Sequence, residues 1–441
     1  HPQTAKVAQL IRDGEIGEVR VIQSNFCYGG SGDHANIRMQ NEAAGGAIMD
    51  IGCYAMSAAR IVAGAAIGLD GPAEPTDVKG HGIIDEKGGV DLYATASLNF
   101  PNAILANLCC GQYVNVESAI KVWGSKGNIQ VTDPWFPGRD GSNPKITVTR
   151  GGETEEVEIE SPSPLYTIEA DIVARHIPDR AAPSPCMTWD DSMGNMKALD
   201  AWREQIDLAF KAEQLDGGLA EPIARRPLDP KRIDVGMTFG EIPGVEKPVS
   251  RLVLGTMGHI CGRLPKTFAM LDHFVEMGGT AIDTAYVYGT EQRVGQWLKA
   301  RDIREHMVVI GKGAADTDAT PDMVTEHLTT SLERMGVDYF DVYLMHRDNT
   351  DVPVAEFVEC LNEHKKAGRI RAFGGSNWTI ARLREANEYA RSKGLTPMAA
   401  NSPNFTLAVW NEPMWFDCVQ AVDEPSLAWH RETDMPLLAW S

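Results

Sequence analysis

Short runs of alternating apolar and polar residues dominate the first half of the chain. Turn residues such as Pro101-Asn102 separate these runs, a pattern typical of strands in a mostly antiparallel sheet. The predicted strands are residues 19–28, 77–84, 91–100, 103–110, 118–123, 128–132, 145–149 and 155–160. Apolar residues at helical spacing predict helices at residues 7–13, 47–62, 165–176 and 190–210. Residues 1–213 are therefore expected to form an α+β domain, an open sheet with helices on one face.

From residue 249 the pattern changes to a regular alternation of strand and helix. The predicted strands are residues 251–255, 280–284, 307–311, 340–346, 371–376, 398–401 and 436–440. The predicted helices are residues 268–277, 294–301, 321–335, 355–367 and 380–393. Repeated strand–helix units with short loops predict a parallel sheet with right-handed crossovers. A (β/α)8 barrel needs eight strands and about 250 residues, so residues 248–441 are expected to form an incomplete TIM barrel that lacks the last strand and helices.

The stretch between the two patterns, residues 214–247, carries Gly and Pro clusters with weak periodicity. It is predicted to be a linker or the lead-in to the second domain. The chain begins with His1 rather than Met and ends at Ser441 directly after an apolar run. We therefore expect a fragment truncated at both ends, in which an open barrel would leave edge strands unpaired.

Composition narrows the possible partners. With 41 Lys and Arg against 61 Asp and Glu, the net charge is −20, which gives no overall attraction to nucleic acid or to an anionic membrane surface. No apolar run reaches the roughly 18 residues typical of a membrane span. The eight cysteines are sparse and form no Cys-x-x-Cys pair, so we expect reduced thiols, a cytoplasmic location and no metal site.

Four polar residues fall at or just after the ends of consecutive predicted barrel strands: Asp283, Tyr288, Lys312 and His346. In a (β/α)8 barrel those ends meet at one mouth. Reduction of a carbonyl by hydride needs a proton donor, and a nearby ammonium lowers the pKa of a tyrosine hydroxyl. Tyr288 can therefore give the proton, with Lys312 tuning it, Asp283 orienting Lys312 and His346 hydrogen-bonded to the carbonyl.

Each of these residues also has a purely structural interpretation. Asp283 alone could cap a helix, and His346 alone could be a satisfied loop residue. Four such residues at successive strand ends favour a catalytic site over coincidence.

Five separated motifs in this half resemble those of the aldo-keto reductases, over about residues 249–441. They are Gly255-Thr256-Met257, Ile282-Asp283-Thr284-Ala285 with Tyr288-Gly289, Gly311-Lys312-Gly313, Leu344-Met345-His346-Arg347 and Gly375-Ser376-Asn377-Trp378. The resemblance implies that Tyr288, Lys312, Asp283 and His346 form the family's catalytic tetrad, with NADP (or NAD) as cofactor.

The same resemblance implies the cofactor-binding residues: Thr256, Ser376, Asn377, Ser402 and Trp440. Ser376 and Asn377 match the pair that holds the nicotinamide amide. Trp440 falls where the family places an aromatic ring, usually Tyr, against the nicotinamide. Ser402 falls where a Gln is common. Taken by itself, Trp440 could equally be a core residue.

The first half carries a second candidate site. Asp50 and Tyr54 lie four residues apart in a predicted helix, hence on one face, and Arg38 adds a cation nearby. An acid and a phenol in this arrangement could shuttle a proton to a substrate, or they could be a capping Asp and a packed Tyr.

This half resembles the C-terminal domain of the Gfo/Idh/MocA oxidoreductases. The matching segments are residues 13–19, Asn36-Ile37-Arg38, residues 45–54 and Trp189-Asp190-Asp191-Ser192. The resemblance implies that Asp50 and Tyr54 line a substrate pocket, and that a Rossmann domain precedes this half in the family. No Gly-x-Gly-x-x-Gly unit occurs here, so residues 1–213 alone are expected not to bind a dinucleotide.

The leading hypothesis is a fusion of two nicotinamide-dependent oxidoreductase modules. The expected reaction is hydride transfer between NAD(P) and a small carbonyl or alcohol, plausibly a sugar or polyol. Two alternatives stay open: a nucleotide-sensing regulatory module with little turnover, and an inactive fragment that aggregates through its open barrel.

Overall fold

A computed structural model describes residues 1–30, 32–230, 236–258 and 263–440. The chain divides into two compact units, unit 1 (His1–Ala212) and unit 2 (Glu213–Ser441). Each is described by itself below.

Unit 1 is built on one eight-stranded sheet. Its strands are β1 (Val19–Cys27), β2 (Asp77–Ile84), β3 (Asp91–Phe100), β4 (Ile104–Gly111), β5 (Ala119–Gly124), β6 (Gly127–Val131), β7 (Lys145–Arg150) and β8 (Glu153–Glu158). Their order in the sheet is β2-β3-β4-β1-β5-β6-β7-β8. The pair β1–β4 is parallel and the other pairs are antiparallel, as the mostly antiparallel prediction requires.

The helices of unit 1 are α1 (Pro2–Arg12), α2 (Cys53–Ala66), α3 (Leu165–His176) and α4 (Trp189–Gln205). Buried and exposed residues alternate along β3, so one face of the sheet lies in the core. Trp202 of α4 is fully buried in that core and donates from Nε1 to the Thr95 carbonyl at 3.2 Å. The predicted helix 47–62 begins as a π-helical segment, Ile48–Gly52, and continues as α2.

The helical stretch Asn41–Ala66 has the length and apolar composition of a membrane span, and 61% of its most apolar window is buried inside the structure. No uninterrupted apolar run marks it in the sequence, because Asp50 and Arg60 interrupt it. Buried residues of α2, among them Met56 and Ala59, belong to the core of unit 1. This burial is typical of a helix in the core of a globular domain.

Unit 2 contains a parallel sheet of six strands in sequential order. They are β11 (Val253–Gly255), β12 (Ala281–Asp283), β13 (Val308–Gly313), β14 (Phe340–Met345), β15 (Ile370–Ser376) and β16 (Ala400–Ser402), preceded by the short antiparallel pair β9 (Phe239–Gly240) and β10 (Val249–Ser250). The helices are α5 (Leu264–Glu276), α6 (Glu291–Arg301), α7 (Pro321–Met335), α8 (Val354–Lys366), α9 (Ile380–Lys393) and α10 (Glu424–Thr433). The strand–helix alternation agrees with the predicted incomplete barrel.

One detail of unit 2 differs from the prediction, and a second favours one of two predicted alternatives. The seventh predicted strand, residues 436–440, forms only isolated parallel bridges, Leu437 to Asn401 and Trp440 to Asn404, and Pro436 at its start has no N–H for a ladder. The segment predicted as a linker or as the lead-in to the second domain packs on unit 2 in its described parts, which favours the lead-in. Leu219 and Ile242 are buried in that unit, because each supplies an apolar side chain to its core.

Candidate active site

Four polar side chains meet at the carboxyl ends of the unit 2 strands. Asp283 is the last residue of β12, Lys312 is the penultimate residue of β13, and His346 directly follows β14. Tyr288 ends a 3-10 turn, Tyr286–Tyr288, shortly after β12. Parallel pairing of β12 with β13 and of β13 with β14 sets these strand ends side by side. Residues up to 63 positions apart thereby reach one place.

The contacts within this group join all four side chains. Lys312 Nζ donates a hydrogen bond to Asp283 Oδ1 and lies 5.1 Å from the centroid of the Tyr288 ring. The rings of Tyr288 and His346 meet edge to face, with centroids 5.8 Å apart. Lys312 is only 4% exposed, so its charge acts in a largely desolvated place and depends on the Asp283 carboxylate.

The group opens onto a cavity of about 1290 Å³. Asp283, Tyr288, Lys312 and His346 all line it. A cavity of this size can hold a small substrate together with part of a larger cofactor.

The electrostatics of Tyr288 differ from the simple expectation that a nearby ammonium lowers its pKa. Burial raises the pKa of Tyr288 above its ordinary value, and the Asp283 charge adds to that rise. The charge and hydrogen bond of Lys312 do pull the pKa down, as expected, but burial outweighs them. The phenol is therefore protonated at neutral pH, which is the state of a proton donor.

His346 is neutral in this site. Burial, together with the charges of Lys312 and Arg347, lowers the pKa of His346 to about 3. Its Nδ1 atom is buried without a hydrogen-bond partner in the described part of the chain. A neutral imidazole keeps one N–H that can donate to a ligand oxygen.

The cavity wall beside His346 carries four of the five predicted cofactor-binding residues: Ser376, Asn377, Ser402 and Trp440. The Ser376 hydroxyl donates to the Ser402 carbonyl at 3.0 Å, and Asn377 Nδ2 lies 3.4 Å from the His346 carbonyl oxygen. Trp440 donates from Nε1 to the Ser402 carbonyl at 3.2 Å. An indole ring beside hydroxyl and amide side chains fits a nicotinamide ring and its carboxamide.

Thr256, the fifth predicted cofactor-binding residue, is placed elsewhere. Its side chain is fully buried, and it is not among the residues that line the cavity. The hydroxyl donates to the Asp283 carbonyl at 3.0 Å and lies 3.0 Å from the Thr290 hydroxyl. Thr256 therefore ties the ends of β11 and β12 together, because its short side chain points into the scaffold.

Two residues to which sequence reasoning gave no role also line the cavity, Arg347 and Trp415. Arg347 stands next to His346 in a quoted motif, and that adjacency is a signal that could have marked it. Trp415 lies in an irregular loop with no periodic pattern, although its ring is 5.7 Å from that of Trp440.

In unit 1, Asp50 is the centre of a polar cluster. Arg38 Nε donates to both carboxylate oxygens at 3.0 Å, and the Tyr28 hydroxyl donates to Oδ2 at 2.9 Å. Gln112 Nε2 donates to the same oxygen at 3.3 Å. Burial and the bond to Asp50 raise the pKa of Tyr28 to about 12. The predicted cation Arg38 is thus a direct partner of Asp50, whereas Tyr28 and Gln112 were missed.

Tyr54 finds different partners from Asp50. Its ring is 52% exposed and meets Phe26 and Trp135 edge to face, at centroid distances of 5.6 and 6.2 Å. Burial first, and then the Cys53 and Asp50 charges, raise the pKa of Tyr54. The hydrogen-bond partners of the Asp50 carboxylate are Arg38, Tyr28 and Gln112, whereas Tyr54 contacts aromatic rings.

Comparison with protein families assigns both units. Residues 251–441 match the aldo/keto reductase family, and residues 4–130 match the GFO/IDH/MocA C-terminal domain. The chain carries a GFO/IDH/MocA C-terminal domain followed by an aldo/keto reductase domain. Both are families of NAD(P)-dependent oxidoreductases.

Curated relatives include several reductases. Norsolorinic acid reductase of Emericella nidulans is 30% identical over 40% of this chain and 51% of its own length. Aldo-keto reductase YhdN of Bacillus subtilis is 34% identical over 25% of this chain and 36% of its own length. An aryl-alcohol dehydrogenase [NADP(+)] of Phanerodontia chrysosporium is 28% identical over 35% and 48%. The chain spans about half or less of the length of these three relatives.

Solved structures show partial likeness. The aldose-aldose oxidoreductase of Caulobacter crescentus, complexed with glycerol, is 23% identical over 47% of this chain and 59% of its own, with a TM-score of 0.40. A thermostable aldo-keto reductase, Tm1743, is 26% identical over 46% and 73%, also with a TM-score of 0.40.

Proposed function

We propose that unit 2 catalyses the reversible reduction of a small carbonyl compound to an alcohol, with NADP or NAD as the hydride carrier. The observation that carries this proposal is the joining of Tyr288, Lys312, Asp283 and His346 around one cavity. A nicotinamide dinucleotide, when bound, supplies the hydride. Ser376, Asn377 and Ser402 would hold its carboxamide end, with Trp440 against the ring.

The chain's own residues transfer the proton and stabilise the charge that is left behind. The neutral imidazole of His346 donates a hydrogen bond to the carbonyl oxygen and orients it. The protonated phenol of Tyr288 then gives its proton to the same oxygen as negative charge develops there. Lys312 stabilises the phenolate left behind, since a cation favours the charged form of a neighbouring acid. Asp283 holds Lys312 charged and in place.

In unit 1 we propose that Asp50 and Tyr54 line a polar substrate pocket. Support comes from the carboxylate of Asp50, which remains 22% exposed beside Arg38, and from the exposed ring of Tyr54. A sugar or polyol, with hydroxyl groups for the polar cluster and a carbon face for the ring, suits that surface.

Steady-state reduction of a panel of aldehydes and sugars with NADPH and with NADH tests the proposal for unit 2. The Tyr288→Phe variant should lose about 100-fold or more in turnover, the usual contribution of a positioned proton donor, while NADPH binding persists. Tyr286→Phe is the matched control, because Tyr286 stacks on His327 at 3.8 Å and does not line the cavity. Full turnover in Tyr288→Phe would remove Tyr288 from the proton step.

A further inference from the structure

Arg347 brings a positive charge to the wall of the unit 2 cavity. Its guanidinium donates to the His346 carbonyl at 2.8 Å and to the Cys418 thiol at 3.4 Å, and both of these partners are uncharged. Within the described ranges of unit 2, no carboxylate forms an ion pair with it. The other cation at this end of the cavity, Lys312, is already paired with Asp283. The charge of Arg347 is therefore not neutralised by a direct ion pair within the described residues.

The backbone holds Arg347 firmly in this position. Its N–H donates to the Ala314 carbonyl at 3.0 Å, and its own carbonyl accepts a hydrogen bond from Trp378 Nε1 at 3.3 Å. Trp378 is fully buried. Of the five N–H donors of a guanidinium, at least two are used within the protein, and the side chain lines the cavity.

The charge of Arg347 reaches the reacting groups. It contributes to lowering the pKa of His346 and opposes the rise in the pKa of Tyr288. An isolated charge that is partly withdrawn from water is costly unless it is paired. Since none of the carboxylates that line the cavity forms an ion pair with Arg347 in the described part of unit 2, the partner that suits its guanidinium is an anion on the ligand.

We propose that Arg347 is a specificity-determining residue that selects carbonyl substrates bearing a carboxylate or phosphate close to the carbonyl group. The inference rests on the proposed function of unit 2. A planar guanidinium presents paired donors that match either anion. With that anion on Arg347, the carbonyl of a short substrate lies within reach of His346 and Tyr288. Reduction then yields the hydroxy acid or hydroxy phosphate, with the hydride from the nicotinamide and the proton from Tyr288.

Matched substrate pairs test this selection. Succinic semialdehyde against butanal probes a carboxylate, and glyceraldehyde 3-phosphate against glyceraldehyde probes a phosphate. The wild-type protein should prefer the charged member of at least one pair in kcat/KM. Arg347→Gln should reduce the ratio of kcat/KM between the charged and the neutral member by about tenfold to a hundredfold, the range expected for a lost hydrogen bond to a charged group. Any effect of the lost charge on His346 and Tyr288 is common to both members and cancels in that ratio.

Two further variants sharpen the result. Arg347→Lys keeps the charge but not the paired donors of the planar guanidinium, and it should recover part of the preference for the charged substrate that Arg347→Gln loses. Arg384→Gln removes an exposed arginine on α9 and should leave both ratios unchanged. Equal kcat/KM for charged and neutral members in wild type, or an unchanged preference in Arg347→Gln, would overturn the proposal while leaving carbonyl reduction intact.

Calorimetric titration with the same four compounds, with and without NADPH, separates this proposal from the proposed function. If no compound is turned over, the reduction proposal fails, and binding still decides the role of Arg347. Tighter binding of a charged member that is lost in Arg347→Gln supports the anion site. Indistinguishable binding of charged and neutral members overturns it.

Discussion

The rings of Tyr288 and His346 lie at 82° to each other with their centroids 5.8 Å apart. One residue ends a turn after β12 and the other follows β14, and the charge of Lys312 acts on both. A ligand oxygen that reaches both rings would meet a phenol that is protonated and an imidazole that is neutral at pH 7.

Removal of the Lys312 charge should move the pH dependence of the reaction. Lys312 lowers the pKa of Tyr288 against the effect of burial, so Lys312→Met should raise that pKa further. Alcohol oxidation needs the phenolate and should fall about tenfold or more at pH 9, while the alkaline limb of carbonyl reduction should shift to higher pH. Lys299→Met on the exposed face of α6 is the control. Unchanged pH profiles of kcat/KM in both directions would contradict the role of Lys312.

Protonation of His346 should make the free energy of unfolding of unit 2 fall at acidic pH. Its pKa is about 3 in the folded chain and about 6.5 when unfolded. The unfolded chain therefore binds the extra proton first, and the stability contributed by neutral His346 is complete above about pH 6.5 and is lost as the pH falls towards 3. His346→Gln should lose less stability than wild type between pH 7 and pH 5 in urea unfolding. The exposed His273→Gln should behave like wild type, and an equal loss in all three proteins would refute the prediction.

Arg60 forms one buried and one partly exposed ion pair, so loss of either partner should change the free energy of unfolding by a different amount. Its side chain is fully buried between Asp191, which is 9% exposed, and Glu74, which is 56% exposed. Asp191→Ala leaves a buried charge with weaker compensation and should cost unit 1 about 3 kcal/mol. Glu74→Ala should cost about 1 kcal/mol or less. Chemical denaturation of both variants measures the difference, and equal losses would show that burial does not control it.

Cys109 should be the more reactive member of a thiol pair. Its sulfur lies 3.7 Å from that of Cys27, and this hydrogen bond lowers the pKa of Cys109 to about 7 against the effect of burial. Cys27→Ala should therefore slow alkylation of Cys109 at pH 7 severalfold, because less thiolate is present. Iodoacetamide labelling followed by mass spectrometry measures the rate. Cys360→Ala, a substitution in unit 2, should have no effect. A Cys109 rate that is unchanged in Cys27→Ala would contradict the prediction.

Much of unit 2 could be predicted because its structure is local in sequence. Each of the helices α5 to α9 connects neighbouring parallel strands, and the helices Pro321–Met335 and Ile380–Lys393 have their predicted bounds. The same rule places Asp283 and Lys312 at adjacent strand ends. The position of the Thr256 side chain could not be predicted from its motif, since the sequence does not show that its hydroxyl is satisfied by the Asp283 carbonyl.

The polar cluster of unit 1 depends on a distant pairing that periodicity does not reveal. Strand β1 pairs in parallel with β4, in a register that sets Cys27 opposite Gly111. The residues that follow, Tyr28 and Gln112, therefore reach Asp50 together. Because about 80 residues separate them along the chain, alternation of apolar and polar positions within each strand contains no information about this contact.

The most direct test of the account is the pH profile of carbonyl reduction when Tyr288 alone is replaced by 3-fluorotyrosine. Fluorination makes the phenol more acidic with little change in its size. If Tyr288 gives the proton, the alkaline limb of kcat/KM should shift to lower pH by the decrease in the phenol pKa, and the same replacement at Tyr286 should leave the limb in place. An alkaline limb that does not move on fluorination of residue 288 would contradict the account.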